Sequence, residues 1–248
     1  MHETIQKPGQ PVRTADSHLV TNTVLLRMPE NEFDILQPTL EFVQLPLAAI
    51  MHRERQALAE VYFINRGIAS MIVETSDGRS VEVGIAGRED MVGLQIAAGL
   101  ERASHSVVVQ VPGDGFLVKT AGMKQLLPEL PALRNILTRQ LGIRSMQFVQ
   151  NAACNRLHSV RQRLARWLLL TRDRIDTDAI ATTHDFLSRM VGTDRPSVSL
   201  ALAEFQREGV ISGSRGVICL LNRRGLEGLA CECYAVFRQF NAELGLVC

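Results

Sequence analysis

No run in this 248-residue chain approaches the roughly eighteen apolar residues that a bilayer-spanning helix needs, so no transmembrane span is expected. The opening stretch M-H-E-T-I-Q-K-P-G-Q-P lacks the apolar core of a secretory signal, and the expected location is the cytoplasm. Cysteine is scarce: Cys154, Cys219, Cys231, Cys233 and Cys248 are odd in number and follow no disulfide-scaffold spacing, which fits a reducing compartment. Catalytic signatures are missing as well. The chain has no G-x-x-x-x-G-K phosphate loop, no H-E-x-x-H zinc helix, no G-x-S-x-G elbow and no paired C-x-x-C, so the expectation is that it is not an enzyme. A formal net charge of +1 gives no global attraction for nucleic acid, and any such attraction must come from a local face.

Such a face is found around residues 182–220. Thr182 or Thr183 can cap a short helix carrying Leu187, Met190 and Val191 at helical spacing. Ser188 is small where two steeply crossing helices leave little room, and Gly192 falls where a sharp turn needs positive φ. Thr193 or Asp194 then caps a second helix, with Pro196 in its first turn and Val198, Ala201, Leu202 and Phe205 on one apolar face. The following V-I-S-G-S-R-G-V-I-C-L alternates like two strands around a glycine turn. Together these make a helix-turn-helix with a wing. Arg156, Arg161, Arg163, Arg166, Arg172 and Arg174 crowd before it, and Arg189, Arg195, Arg207 and Arg215 lie within it, a distribution suited to a phosphate backbone.

The rest of the chain has a different texture. Residues 1–21 are polar, with Pro8, Gly9 and Pro11, and read as a flexible N-terminal arm. From 41 to 119, short β-prone runs are separated by glycine turns at 65–67, 76–78, 87–88 and 112–115, the pattern of an antiparallel jelly roll. A helix is predicted over 131–155, with Leu133, Ile136, Ile143, Met146, Val149, Ala153 and Leu157 at three-or-four spacing, long enough to pair with its own copy. After a break at His158-Ser159 another helix runs over 160–171, and a single amphipathic helix is predicted over 223–246. The fold class is therefore α+β: an antiparallel β jelly roll, a long dimerisation helix and a C-terminal winged helix-turn-helix. Its divisions are an arm (1–21), a sensor roll (22–127), a dimerisation helix (128–158) and a DNA-binding domain with its C-terminal helix (159–248).

In this order the parts resemble the Crp/Fnr family of bacterial transcription regulators. The resemblance is strongest in Gly192-Thr193-Asp194-Arg195-Pro196-Ser197-Val198-Ser199, which follows that family's G-x-(S/T)-R-x-(S/T)-V-(S/T)-R signature except at Asp194 and at Leu200 beyond it. It implies a homodimer, a cyclic-nucleotide-binding-like roll, a double-stranded palindromic DNA operator and RNA polymerase as partners. Carried over, Arg195 reads a guanine, Ser197 and Ser199 touch phosphates or base edges, and Thr183 contacts a phosphate; Ser214 and Arg215 lie at the wing tip. Pro196 stands where a glutamate often reads cytosine, and Leu200 where a second arginine is common, so the operator should differ and Leu200 can meet a thymine methyl.

The resemblance also places a ligand cassette at Gly87-Arg88-Glu89-Asp90-Met91-Val92-Gly93, and the effector candidates are Gly87, Gly93, Leu94, Arg102, Ser104 and His105. Leu94 replaces the ribose-binding glutamate, and Ser104-His105 replace the phosphate-binding pair, which argues against a cyclic nucleotide. The first cysteine, Cys154, comes too late for the iron–sulfur branch, and His52 or His105 alone makes a weak case for haem. Cys231 and Cys233 form a C-x-C that on an ideal helix would point about 200° apart, a poor bite for one metal. No metal site is therefore expected, and a redox- or metal-sensing regulator using these cysteines is the alternative, with a sensor or scaffold that binds no DNA behind it.

Overall fold

The structure, a computed structural model, describes residues 12–175, 177–214 and 216–243. Its first part corrects the expectation of a loose arm. Strands β1 (Thr14–Ala15) and β2 (His18–Leu19) form a hairpin, with Ala15 and Val20 buried. The Asn65 carboxamide oxygen accepts the backbone N–H groups of Thr21 and Asn22, each at 3.0 Å, so this stretch is part of the roll; residues 1–11 lie outside the described residues. Helices α1 (Thr23–Leu26) and α2 (Glu30–Leu36) follow.

Strands β3 (Glu41–Leu45), β4 (Ile50–His52), β5 (Glu60–Glu74), β6 (Ser80–Ala86), β7 (Met91–Val92) and β8 (Ser106–Lys119) make one antiparallel sheet, ordered β3-β8-β5-β6, with β4 on β8 and β7 on β5. Two of the expected turns, at 65–67 and 112–115, are not turns. β5 and β8 run through them side by side, with register shifts between Ile64 and Ala69. Gly67 has φ 93°, and a Cβ on Gly113 would sit 1.9 Å from the Arg66 carbonyl oxygen. These glycines are therefore bulges that bend two long strands, while Arg66 Nε holds Asp114 Oδ2 at 2.7 Å across the bend. Leu45, Ile64, Ala69, Met71, Ala86, Val92, Val107 and Val109 form an apolar cluster within the sheet region.

Helix α3 (Thr120–Leu126) leads to α4 (Pro131–Leu157), whose 27 residues span about 40 Å. Leu130 offers no capping side chain; the Glu32 carboxylate does this instead, accepting Ala132 N at 2.8 Å and Leu133 N at 3.0 Å. The expected single stripe divides between two faces. Leu133, Leu137 and Ile143 turn inward with Gln140, Arg144, Gln147 and Asn151, whereas Met146, Val149 and Leu157 are largely exposed. The inward face is polar because it meets backbone and acids of the roll: Arg144 Nη1 donates to the Ile85 carbonyl at 2.9 Å, and its other terminal nitrogen pairs with buried Asp90.

Ser159 and Gln162 make the capping box that starts α5 (Val160–Arg172). Then come β9 (Ala179–Ala181), α6 (His184–Met190), α7 (Arg195–Arg207), β10 (Ile211–Ser214) and β11 (Val217–Leu220), the last two forming a three-stranded sheet with β9. The tail is two helices rather than one, α8 (Arg223–Leu229) and α9 (Cys233–Glu243), because Ala230 is extended at ψ 156° and Cys231 turns into the core. Leu244 and Leu246 lie outside the described residues. α9 packs along α4, and no helix among the described residues is long and apolar enough to cross a membrane.

Candidate nucleic-acid interface

The helix-turn-helix is built from local rules. Thr183 Oγ1 accepts Phe186 N at 3.1 Å and starts α6; Ser188, buried at the crossing, turns its hydroxyl back to the Asp185 carbonyl at 2.8 Å. Gly192 takes φ 62°, the left-handed conformation the turn needs. Asp194 caps α7 through Ser197 N at 2.8 Å and the Ser197 hydroxyl at 2.9 Å, and these bonds hold its carboxyl below its ordinary pKa. Val198, Ala201, Leu202 and Phe205 are buried as the spacing predicts, which fixes the outward face of α7.

That face carries Arg195, half-buried Ser199 and Leu200, which is 62% exposed. Arg195 has no acidic partner among the described residues, and Pro196 is exposed beside it in the first turn. Thr183, Arg195 and Ser214 line one cleft of about 650 Å³ between the start of α6, α7 and the wing. Ser197 instead folds onto its own cap, and Arg215 lies outside the described residues. The sequence reading missed His184, whose Nδ1 lies 2.8 Å from Ser199 Oγ and ties the two helices together, and Gln206, which lines the same cleft. The T-T-H-D capping run held the signal for His184.

Most of the arginine cluster is not available to phosphate. Arg163, Arg166 and Arg174 are buried, Arg161 bridges Glu204 and Glu208, and Arg172 holds Asp178. A run of arginines on an amphipathic helix necessarily places some inward: here Arg163 donates to the Val191 carbonyl within the domain, Arg166 reaches Asn151 of α4 at 2.7 Å, and Arg174 fastens the domain to the roll through Glu89.

The family model described as the Crp-like helix-turn-helix domain matches residues 162–229. The chain has the Crp/Fnr fold, with a Crp-like helix-turn-helix domain. Among solved structures, FixK2 from Bradyrhizobium japonicum superposes with a TM-score of 0.67 at 17% identity, covering 77% of this chain and 98% of that one. A putative Crp/Fnr family transcriptional regulator from Eubacterium rectale gives 0.65 at 18%, covering 82% and 94%. The c-di-GMP-responsive global regulator CLP of Xanthomonas campestris gives 0.64 at 16%, covering 77% and 99%. No curated protein matches by sequence.

In this Crp-like chain the effector candidates do not gather around one polar pocket among the described residues. Gly87 backs onto Glu89 and Arg174, and Gly93, at φ 100°, packs on Val61. Leu94 is buried with Val61, Phe63 and Met91. Arg102 is exposed and donates to the Arg55 carbonyl at 3.1 Å. Ser104 and His105 bond each other at 3.0 Å, and burial beside His52 pushes the His105 imidazole down to about 4. Within the cassette, Glu89 faces Arg174 and Asp90 faces Arg144, so both acids join domains. With no buried arginine in the roll among the described residues, an apolar residue at the ribose-binding position and an apolar cluster within the sheet, these residues do not fit a cyclic nucleotide. His52 engages the Glu60 carbonyl through Nε2 at 2.8 Å, which leaves that nitrogen in use rather than open to a haem iron.

Proposed function

We propose that this chain is a homodimeric, sequence-specific DNA-binding transcriptional regulator, working in the cytoplasm at promoters served by RNA polymerase. The observation that carries the reading is the cleft at which Thr183, Arg195 and the wing residue Ser214 converge, beside an α7 whose apolar side is fully buried. A guanidinium at the start of a groove-bound helix can bond guanine O6 and N7 together. Leu200, further along the exposed face, offers an apolar contact for a thymine methyl.

Dimerisation is supported by the outer face of α4, where Gly142, Met146, Val149 and Ala153 repeat at coiled-coil spacing and lie exposed. Control by the roll is supported by how closely it meets the DNA-binding domain. A Cβ on Gly192 would lie 2.9 Å from Val81 of β6, and Arg189, Thr193 and Asp194 share a cleft with the β5–β6 hairpin. A signal that shifts this hairpin would move the start of α7 and change the populations of competent and incompetent arrangements.

Selection from random double-stranded DNA with the purified full chain, repeated at several salt concentrations, tests the reading. The expected result is a palindrome whose half-sites lie about one helical turn apart, with affinity falling steeply as salt rises. Recovery of no palindrome, or binding indifferent to salt, overturns it.

A further inference from the structure

The break between α8 and α9 places Cys231 and Cys233 where a continuous helix could not. Cys154, His158, Cys231 and Cys233 each present one ligand atom, and these four atoms lie within 4.8 Å of one another. Cys154 and His158 are one turn apart at the end of α4, and the other two come from the α8–α9 junction. Cys154 Sγ is 3.5 Å from Cys231 Sγ, and Cys233 Sγ is 3.6 Å from His158 Nδ1. The edges of a tetrahedron with Zn–S bonds of about 2.3 Å and Zn–N bonds of about 2.0 Å are about 3.5–3.8 Å long. All three sulfurs are buried, and Cys219, on β11, is not among them.

The surroundings are those of a metal centre. Glu232 Oε1 lies 3.0 Å from His158 Nε2, which turns Nδ1 toward the sulfurs, the carboxylate–histidine arrangement that orients and strengthens a ligand imidazole. Gln150 Nε2 donates to Cys233 Sγ at 3.0 Å. Arg163 and Arg166 are buried next to the group, make no ion pair with a carboxylate among the described residues, and each has an Nε without a hydrogen-bond partner. Two buried cations with no ion-paired carboxylate are costly unless a counter-charge is present. Three thiolates around a divalent ion carry a net negative charge, which these arginines would balance.

We propose that Cys154, His158, Cys231 and Cys233 form a four-coordinate zinc site that fastens the α8–α9 junction to the end of α4. Three soft sulfurs and one imidazole at this spacing suit a single tetrahedral ion rather than a multi-iron cluster. The protein supplies every ligand, so the ion is structural and has no position open for catalysis. Binding releases the thiol protons and forms three Zn–S bonds and one Zn–N bond, with no change of oxidation state. The site lies beside Ser159, at the joint where α4 gives way to α5, so occupancy would fix the orientation of the Crp-like domain on the long helix.

The test is equilibrium dialysis of the full chain, stripped by chelator under reducing conditions, against Zn²⁺, with metal counted by mass spectrometry. About one zinc per chain is expected, and Co²⁺ in its place should give the intense visible bands of tetrahedral thiolate coordination. Cys233→Ser should weaken uptake by more than about 100-fold, and Glu232→Gln, at an exposed side chain that leaves folding intact, by about 10–100-fold. A wild-type chain that takes up no zinc, a Co²⁺ form lacking those bands, or equal uptake by Cys233→Ser and wild type overturns the assignment.

Discussion

Arg174 Nε lies 2.7 Å from Glu89 Oε1, and the two side chains are only 2% and 1% exposed. Arg174 follows α5 and Glu89 belongs to the roll, while Arg174 Nη1 and Nη2 also reach the Leu170 carbonyl at 2.9 Å and Asn241 Oδ1 of α9 at 3.4 Å. One guanidinium thus gathers the roll, the first helix of the Crp-like domain and the tail.

Breaking that pair should be expensive. Arg174→Met leaves the Glu89 carboxylate buried and unpaired, and is expected to lower unfolding free energy by about 3–5 kcal/mol. The double variant Glu89→Met with Arg174→Met should recover most of it, because both charges leave together. Urea unfolding of the wild type, both single variants and the double variant closes the cycle; a double variant as unstable as Arg174→Met would contradict the argument.

Glu82 predicts a pH dependence of defined sign. It is buried on β6, accepts Trp167 Nε1 at 3.1 Å and Ser70 Oγ at 2.7 Å, and burial raises its carboxyl to about 7 despite Arg166 and Arg174 nearby. In the unfolded chain it ionises near its ordinary value of 4.5. Between these values the folded state holds the extra proton, so stability falls as pH rises through the window and levels off above about 7. The contribution is at most roughly 3 kcal/mol. Wild-type unfolding free energy relative to Glu82→Gln should decline from pH 4.5 to 7; a constant difference would exclude Glu82 as the cause.

The elements with strong local signals were legible in the sequence: the His158-Ser159 break, the Gly192 turn, the apolar side of α7 and the wing. Local chemistry, in caps, positive φ and alternation, suffices for each. What failed depended on partners distant in sequence. Glycines at 67 and 113 signal a turn by themselves, and only the pairing of β5 with β8 makes them bulges. Asn65 converts a polar N-terminal stretch into a docked hairpin. The inward polar stripe of α4 is intelligible only once Asp90 and the Ile85 carbonyl face it. The cysteines were read on an ideal helix, and the break at Ala230 removes that premise. In the effector region the residues were named by position alone, and their environments proved apolar or already paired.

The exposed stripe of α4 predicts an oligomeric state that one charge can change. Val149 is 70% exposed, so Val149→Asp should leave the chain folded. If Val149 is buried against a second copy, the substitution should raise the dimer dissociation constant at least about tenfold, equivalent to about 1.4 kcal/mol. Sedimentation equilibrium measures it, and DNA affinity for a two-half-site operator should fall in parallel. An unchanged association constant would place the dimer interface elsewhere.

The sharpest prediction about recognition concerns Arg195 and Leu200, which should fail in different ways. Arg195→Ala removes a bidentate donor, so a guanine at one position of each half-site should lose about 1–3 kcal/mol of preference. Because the residue is exposed and uninvolved in the caps, stability should not move. Leu200→Ala removes only an apolar contact, and should erode a thymine preference while leaving the guanine and the salt dependence intact. Selection with each variant on the same random library separates the two positions. An unchanged guanine after Arg195→Ala would mean that α7 lies in the groove in another orientation, with the contacts reassigned toward Ser199 and Gln206.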